Sequence, residues 1–428
     1  MNAIGIDFGT TNTVVAVPAS GGSAHVQYFR YGNDSLDAIR TALSFRRNPR
    51  RGEAPLSEAG PWAIQDFIDS PEDTRFLQSF KSFAASPSFT DTTIFTKRFA
   101  FEDLMGAYLA RIMERAKIEN RPRRLVIGRP VTFAGQNPNN ALAHQRYTAA
   151  LKTFGFEDIH FVLEPVAAAL YYARTLNSGA VVLVGDFGGG TSDFSILRFK
   201  PPASGLAAEA LSHSGIGIAG DSFDYRIIDN AVSPLLGKHA TYRSWGKTLP
   251  VPIHYFASFS RWNELCLMQR PEVLRDLREL AKASNERLQL QSLIDLIEGG
   301  VSYELYRAVS RAKAELSVQS ETRFRFSLPG LDIDKVITRS GFESWIAEDL
   351  KKIGATVDLA LEKAHLTAGD IDRVFITGGT SYVPAVRRLF ERRFPAGRID
   401  TGEQLLSIAK GLALVSTAQD IGRWSVSP

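Results

Sequence analysis

Val181-Val182-Leu183-Val184-Gly185-Asp186-Phe187-Gly188-Gly189-Gly190-Thr191-Ser192-Asp193, running on into Phe194-Ser195-Ile196-Leu197, is the stretch on which the fold turns. An apolar run ends in an acid, glycines with Thr and Ser follow, and a second apolar run leaves, which reads as strand, tight turn, strand. The N-terminus carries an echo of it, Ile4-Gly5-Ile6-Asp7-Phe8-Gly9-Thr10-Thr11-Asn12 followed by Val14-Val15-Ala16-Val17. The two aspartates lie 179 residues apart, far beyond any solenoid period. That spacing predicts two similar halves, each giving one hairpin to a shared cleft. A third glycine turn follows a β-rich run at Val374-Phe375-Ile376-Thr377-Gly378-Gly379-Thr380-Ser381. Between the turns, Glu164 to Leu176, Leu305 to Ser317 and Gly341 to Ala364 carry apolar residues at helical spacing, and Pro165 stands near a helix start. Strands alternating with helices predict an α/β architecture. Residues from about 20 to 105 and from about 222 to 304 are less regular and read as an insertion in each half.

Composition sets outer limits. The chain has 428 residues, 44% hydrophobic and 22% charged, an ordinary globular mixture that excludes a disordered, collagenous or coiled-coil architecture. The net charge of +4 makes no nucleic-acid stripe, and the basic loop Phe45 to Pro55, with Arg46, Arg47, Arg50 and Arg51, reads as a solvated turn. One cysteine, Cys266, excludes an intrachain disulfide and a multi-cysteine metal site. No apolar run approaches a membrane span and no basic segment opens a signal peptide, so a cytoplasmic protein without membrane or nucleic-acid partners is expected.

The hairpins carry the chemistry. Glycine lets backbone N–H groups close around a phosphate, and Thr10, Thr11 and Thr191 add hydroxyls at the same places. Asp7 and Asp186, acceptors only when ionised, suit hydrated Mg²⁺. One such hairpin alone is equally an ordinary glycine turn; two matched copies and a third turn point to phosphoryl chemistry. Three decoys fall away. Asp-Phe-Gly occurs twice without a His-Arg-Asp loop. Gly246-Lys247-Thr248 lacks the first P-loop glycine, Thr241 standing there, and the apolar strand before it. Gly215, Gly217 and Gly220 fit G-x-G-x-x-G, but Ser212-His213-Ser214 reads as no buried strand.

Gly5 to Asn12 resembles the first phosphate loop of the seventy-kilodalton heat-shock (DnaK-like) chaperones. Glu164-Pro165-Val166-Ala167-Ala168-Ala169-Leu170 resembles their Glu-Pro-x-Ala-Ala-Ala helix start, and Asp186 to Asp193 their second phosphate loop. Gly217-Ile218-Ala219-Gly220-Asp221-Ser222-Phe223-Asp224 is similar to their Gly-Gly-x-Asp-Phe-Asp segment. Arg311 to Ser317 and Thr377 to Pro384 are similar to their adenosine-binding helix and turn. The resemblance runs from residue 1 to about 415 and implies the two-lobed actin-like ATPase fold of duplicated ribonuclease-H-like domains. It implies a first lobe over 1–178, a second over 179–400 and a 401–428 segment returning to the first. It looks like the YegD-like branch, which has the ATPase domain alone, so no peptide-binding domain is expected.

The same resemblance implies ATP or ADP with Mg²⁺ as cofactors. Gly9, Thr10, Thr11, Asn12, Gly188, Gly189 and Gly190 would hold phosphates, with Asp7 and Asp186 placing the metal through water. Thr191 would touch the γ-phosphate, Glu164 would order metal or attacking water, and Lys81 would reach the γ-phosphate, unless it is a solvated lysine on a short helix. Gly220, Asp221, Lys313, Ser317, Gly378, Gly379, Thr380 and Tyr382 would hold the nucleoside side, Tyr382 either stacking on adenine or packing inward. Pro130 stands where family members couple the lobes. Ser310 and Ala314 depart from the family's adenosine pattern. The expected activity is slow Mg-dependent ATP hydrolysis as a nucleotide switch for an unknown protein partner or client. The alternatives are a non-hydrolysing nucleotide sensor and, more distantly, a small-molecule kinase. A monomer is expected.

Overall fold

The hairpin of the N-terminus forms from β1 (Ala3–Phe8) and β2 (Asn12–Ala19), antiparallel with Asp7 opposite Val14. The computed structural model describes residues 3–50, 53–118, 122–135, 137–200, 208–261, 264, 268–298, 302–328, 330–401 and 406–426. Arg51 and Cys266 lie outside the described residues. Three further strands, β3 (Ser23–Val26), β4 (Arg124–Arg129) and β5 (Asp158–Leu163), give the first sheet the order β5-β4-β1-β2-β3, and the short strand Ile39–Arg40 also pairs with β2. The second sheet uses β6 (Ala180–Phe187), β7 (Ser192–Phe199), β8 (Ala208–Ile216), β9 (Arg373–Thr377) and β10 (Ile399–Thr401), in the order β10-β9-β6-β7-β8. The two orders are the same. Each sheet is an antiparallel three-strand meander whose first strand also pairs, in parallel, with a strand that arrives much later in the chain. The duplication legible in the two hairpins therefore extends to the topology of both sheets, and the α/β, actin-like ATPase architecture follows from it.

Four helices matter for the site: α1 (Asn140–Lys152), α2 (Glu164–Tyr172), α3 (Ala347–Lys363) and α4 (Ser407–Val415). The Ala-rich helix α2 lets α4 approach so closely that a Cβ on Gly411 would sit 1.9 Å from Ala167 O. One apolar cluster joins the sheets through these helices: Val126 and Val162 from the first, Val182, Val184 and Phe375 from the second, and Ala167 and Leu412 between them. Interiors packed at this density hold the two hairpins at a fixed distance.

The chain divides into two compact units, one of Met1–Gly220, Lys352–Ser381 and Val386–Pro428, the other of Asp221–Lys351 and Tyr382–Ala385. Both duplicated sheets belong to the first unit. In the second unit, Thr241–Ser244 and Lys247–Pro250 form a hairpin about Trp245 and Gly246, both at positive φ, so Gly246-Lys247-Thr248 makes a β-turn and its exit rather than a phosphate loop. The helices Pro271–Ala283, Arg287–Glu298 and Ser302–Val318 follow, with Leu277, Leu290, Leu293 and Ile297 in the core. Arg226 holds Asp349 bidentately at 2.8 and 3.0 Å. Among the described residues no helix is long and apolar enough to cross a membrane.

One sequence expectation is corrected. A strand, β8, does precede Gly217 and Gly220, with Ser212 and Ser214 buried. Its serines escaped the apolar pattern because α3 satisfies them, Ser212 Oγ donating to Ala360 O at 2.7 Å and Ser214 Oγ to Thr356 O at 2.8 Å.

Candidate active site

The two glycine turns close in the same way. Gly9 N–H donates to Asn12 O at 3.0 Å and Gly188 N–H to Thr191 O at 3.1 Å, each two residues past the strand-end aspartate. Each first glycine has its carbonyl gripped by a distant threonine: Thr41 Oγ1 donates to Gly9 O and Thr380 Oγ1 to Gly188 O, both at 2.7 Å. Gly220 N–H adds a second bond to Gly188 O at 3.3 Å. Gly378 adopts φ +87° and comes so close to Phe187 that a Cβ would lie 2.2 Å from its carbonyl oxygen, a position open only to glycine. The third turn thus sits directly on the second. The first and second turns also meet, since a Cβ on Gly190 would lie 2.8 Å from Thr10 Oγ1. Thr11 Oγ1 is buried without a partner.

Beside these turns lies a cluster of buried charges. Lys81 Nζ donates to Glu164 Oε1 at 2.7 Å, with both side chains about 95% buried. Lys81 is carried by a short 3-10 helix, Phe80–Phe83, entered through Ser79 at φ 54°, a strained conformation for a serine. Arg146 on α1 fixes the segment that follows, donating to the carbonyls of Phe83, Ala84, Ser86 and Phe89 at 2.5 to 3.1 Å. Glu164 opens α2, where the N-terminal dipole favours a carboxylate. Lys81 is therefore a buried, ion-paired group and not a solvated one.

The electrostatics follow from this crowding. Burial, with Glu164 adding to it, pushes the Asp7 carboxyl up to about 8 against the pull of Lys81. Asp186 is raised well above the carboxylate range by burial and by Glu164, Asp7 and Asp193. Asp193, cross-strand from Asp186, is raised to about 7 by burial and Glu164, held back by hydrogen bonds from Thr191 and from the Thr132 and Val131 N–H groups. Burial works against the Lys81 charge, but Glu164, Tyr147 and Asp7 outweigh it and hold the ammonium above its ordinary value. Four acids and one paired lysine leave an excess of negative charge that a cation would relieve. Among the described residues no three His, Cys, Asp or Glu side chains converge on one ion. Two hard carboxylates without a closed ligand cage fit Mg²⁺, which keeps most of its waters.

The residues expected on the nucleoside side are divided between the two units. Gly378, Gly379 and Thr380 stand by the second glycine turn in the first unit. Asp221, Lys313, Ser317 and Tyr382 belong to the second unit. There Lys313 Nζ pairs with Asp224 Oδ2 at 2.8 Å, Ser310 Oγ reaches the same oxygen at 3.4 Å, and Ser317 Oγ bonds back to Lys313 O at 3.1 Å. Tyr382 is 60% exposed, which leaves its ring face open.

Four residues were not singled out by sequence. Thr41 and Arg146 act on partners 32 and about 60 positions away, which leaves no local signal. Asp193 takes the Val131 and Thr132 N–H groups on Oδ1 at 2.8 and 3.1 Å, tying the second hairpin to the loop just past Pro130. Its signal was present, as the one acid in the second hairpin that the first replaces by Val14. Arg129 stood unread inside Ile127-Gly128-Arg129-Pro130.

Comparisons with known proteins agree with this geometry. The family model described as Hsp70 protein matches residues 88–241 and 280–417. The chain is 27% identical over 421 residues to a chaperone protein DnaK of Deinococcus radiodurans, covering 91% of this chain and 55% of that protein. It is 26% identical over 405 residues to one of Thermus thermophilus (90% and 56%), and 24% identical over 417 residues to one of Guillardia theta (91% and 55%). The chain spans about half the length of the curated relatives it matches.

Proposed function

The chain belongs to the Hsp70 protein family, and from that premise we propose that it binds ATP and ADP with Mg²⁺ and hydrolyses ATP slowly, as a nucleotide-driven switch. The observation that carries the reading is the buried Lys81–Glu164 pair set beside Asp7 and Asp186 at the two matched glycine turns. The turns cradle the phosphates with backbone N–H groups and with the Thr10, Thr11 and Thr191 hydroxyls. Asp7 and Asp186 would hold the ion, and Mg²⁺ bound there would supply neutralisation of phosphate charge. Water attacks the terminal phosphorus, its proton passes to the phosphate oxygens, and the bridging P–O bond breaks with its electron pair leaving on ADP. Lys81 offsets charge on the transferred group, while Glu164 orients Lys81 and the attacking water. A chaperone-type role, a protein partner or client and a cytoplasmic setting are proposals of the same standing, supported by the DnaK relatives.

Single-turnover hydrolysis of radiolabelled ATP tests the reading. Lys81→Ala is expected to lower the rate by about 10²-fold or more with nucleotide affinity within several-fold. Asp186→Asn is expected to weaken the Mg²⁺ dependence as well. Equal rates in wild type and both variants would leave a non-hydrolysing sensor in its place.

A further inference from the structure

Arg129 ends β4 and pairs in register with Leu163, the residue before Glu164, so it reaches the same strand ends as the charge cluster. It is only 6% exposed, yet its one hydrogen bond among the described residues runs from Nε to the adjacent Pro130 O at 3.3 Å, and no carboxylate lies within ion-pair distance. Its guanidinium lies 5.5 Å over the Phe133 ring, and its titratable neighbours are Tyr147, Glu164 and Asp193, with His144 on α1 also feeling its charge. A guanidinium carries five N–H donors, and here only Nε is taken by a protein acceptor, which leaves the outer nitrogens open to an incoming one. Other arginines of this unit show the contrast: Arg146 spends its donors on four carbonyls, and Arg393 grips Asp358 bidentately. A second unused donor stands beside it. Tyr147 is 1% exposed, its hydroxyl has no partner, and its charged neighbours are Lys81, Glu164, Arg129 and Asp7. The Tyr147 hydroxyl and the outer Arg129 nitrogens, beside the Lys81–Glu164 pair, are thus donors that no acceptor among the described residues takes.

We propose that their acceptor is the terminal phosphate of a bound nucleoside triphosphate, and that Arg129 is the site's second cation, an arginine finger supplied by the chain itself. The assignment rests on the reading of the two turns as a phosphate site. Arg129 then touches what ATP has and ADP lacks, and a planar fork suits phosphoryl oxygens better than a point charge does. Tyr147 donates to the same group or to the water beside it.

Calorimetry with Mg²⁺ and either ADP or a non-hydrolysable ATP analogue, beside single-turnover ATP hydrolysis, tests the assignment on wild type, Arg129→Met and Arg129→Lys. Arg129→Met is expected to weaken the ATP analogue by about tenfold or more, leave ADP within about threefold, and slow hydrolysis by at least about tenfold. Arg129→Lys is expected to fall between. Analogue and ADP weakened together, or neither changed, would overturn the assignment, because a packing role moves both alike. Should Arg129→Met fail to fold, a wild-type affinity ratio in Arg129→Lys overturns it equally. A wild type that binds neither ligand overturns the nucleotide reading itself, whereas normal binding with an unchanged ratio overturns only Arg129.

Discussion

The first and second hairpins share a backbone and differ in what they put on it. Both close with the same N–H to carbonyl bond, and both have the first glycine's carbonyl held by a threonine at 2.7 Å. The first then offers Thr10 and Thr11 where the second has Gly189 and Gly190, and the second offers Asp193 where the first has Val14. The side chains are complementary because the turns meet: Thr10 occupies the space that Gly190 leaves open. One hairpin supplies hydroxyls, and the other gives way and reaches across to the Val131–Thr132 backbone. The duplicated fold is thus kept by backbone geometry, while the site depends on the places where the copies diverge.

Making the second turn like the first should have the largest effect. Gly190→Thr drives a side chain into Thr10 and is expected to reduce nucleotide affinity by about 10²-fold, whereas Thr11→Gly, the reverse exchange, removes one donor for about tenfold or less. Equal losses measured by calorimetry would break the asymmetry. Asp193→Val copies the first hairpin into the second and leaves two N–H groups unpaired; urea unfolding should show a loss of about 2 kcal/mol. Thr41→Val and Thr380→Val remove equivalent clamps and are each expected to cost about 1 kcal/mol, so a large difference between them would show that the turns are not equally braced.

Protons sharpen the comparison further. Asp7, Asp186 and Asp193 have carboxyls raised above their unfolded values, so the folded chain binds more protons than the unfolded chain through that window. For Asp7 and Asp193 the contribution is fully present below the unfolded value near 4 and is lost as pH rises through about 7 to 8. With metal chelated, stability should therefore fall over that range. Asp7→Asn should flatten the slope and raise the midpoint at pH 8, and an unchanged slope would contradict the crowding. The smallest effect expected is on base choice. With Ser310, Ala314 and Tyr382 at the positions expected to face adenosine, competition titration should show weak preference for ATP over GTP.

Much of this was legible in sequence, and for a stated reason. A strand, an acid and a glycine turn are local, so both hairpins and the Gly378 turn could be read directly, as could α2 from Pro165 and its alanines. Lys81 and Glu164 could be assigned by resemblance, but their mutual burial could not. The serines of β8 hid a strand because their hydroxyls are satisfied by α3, and periodicity is blind to such partners. Arg129, Tyr147 and Thr41 were unreadable because their meaning lies in which groups surround them after folding. Lys313 and Ser317 matched the family's adenosine helix, yet the structure adds their own partners, Asp224 and the helix backbone.

The central claim is that the matched turns and the carboxylates beside them form one Mg-nucleotide site. A thermal melt of the whole chain tests it most directly, with ATP or ADP at millimolar concentration, with Mg²⁺ and with chelator. Because a ligand bound only by the folded state adds RT ln(1 + [L]/Kd), about 2.7 kcal/mol at a hundredfold excess over Kd, the account predicts a clear rise in midpoint that shrinks when the metal is removed. An unchanged midpoint with both nucleotides in Mg²⁺ would contradict it.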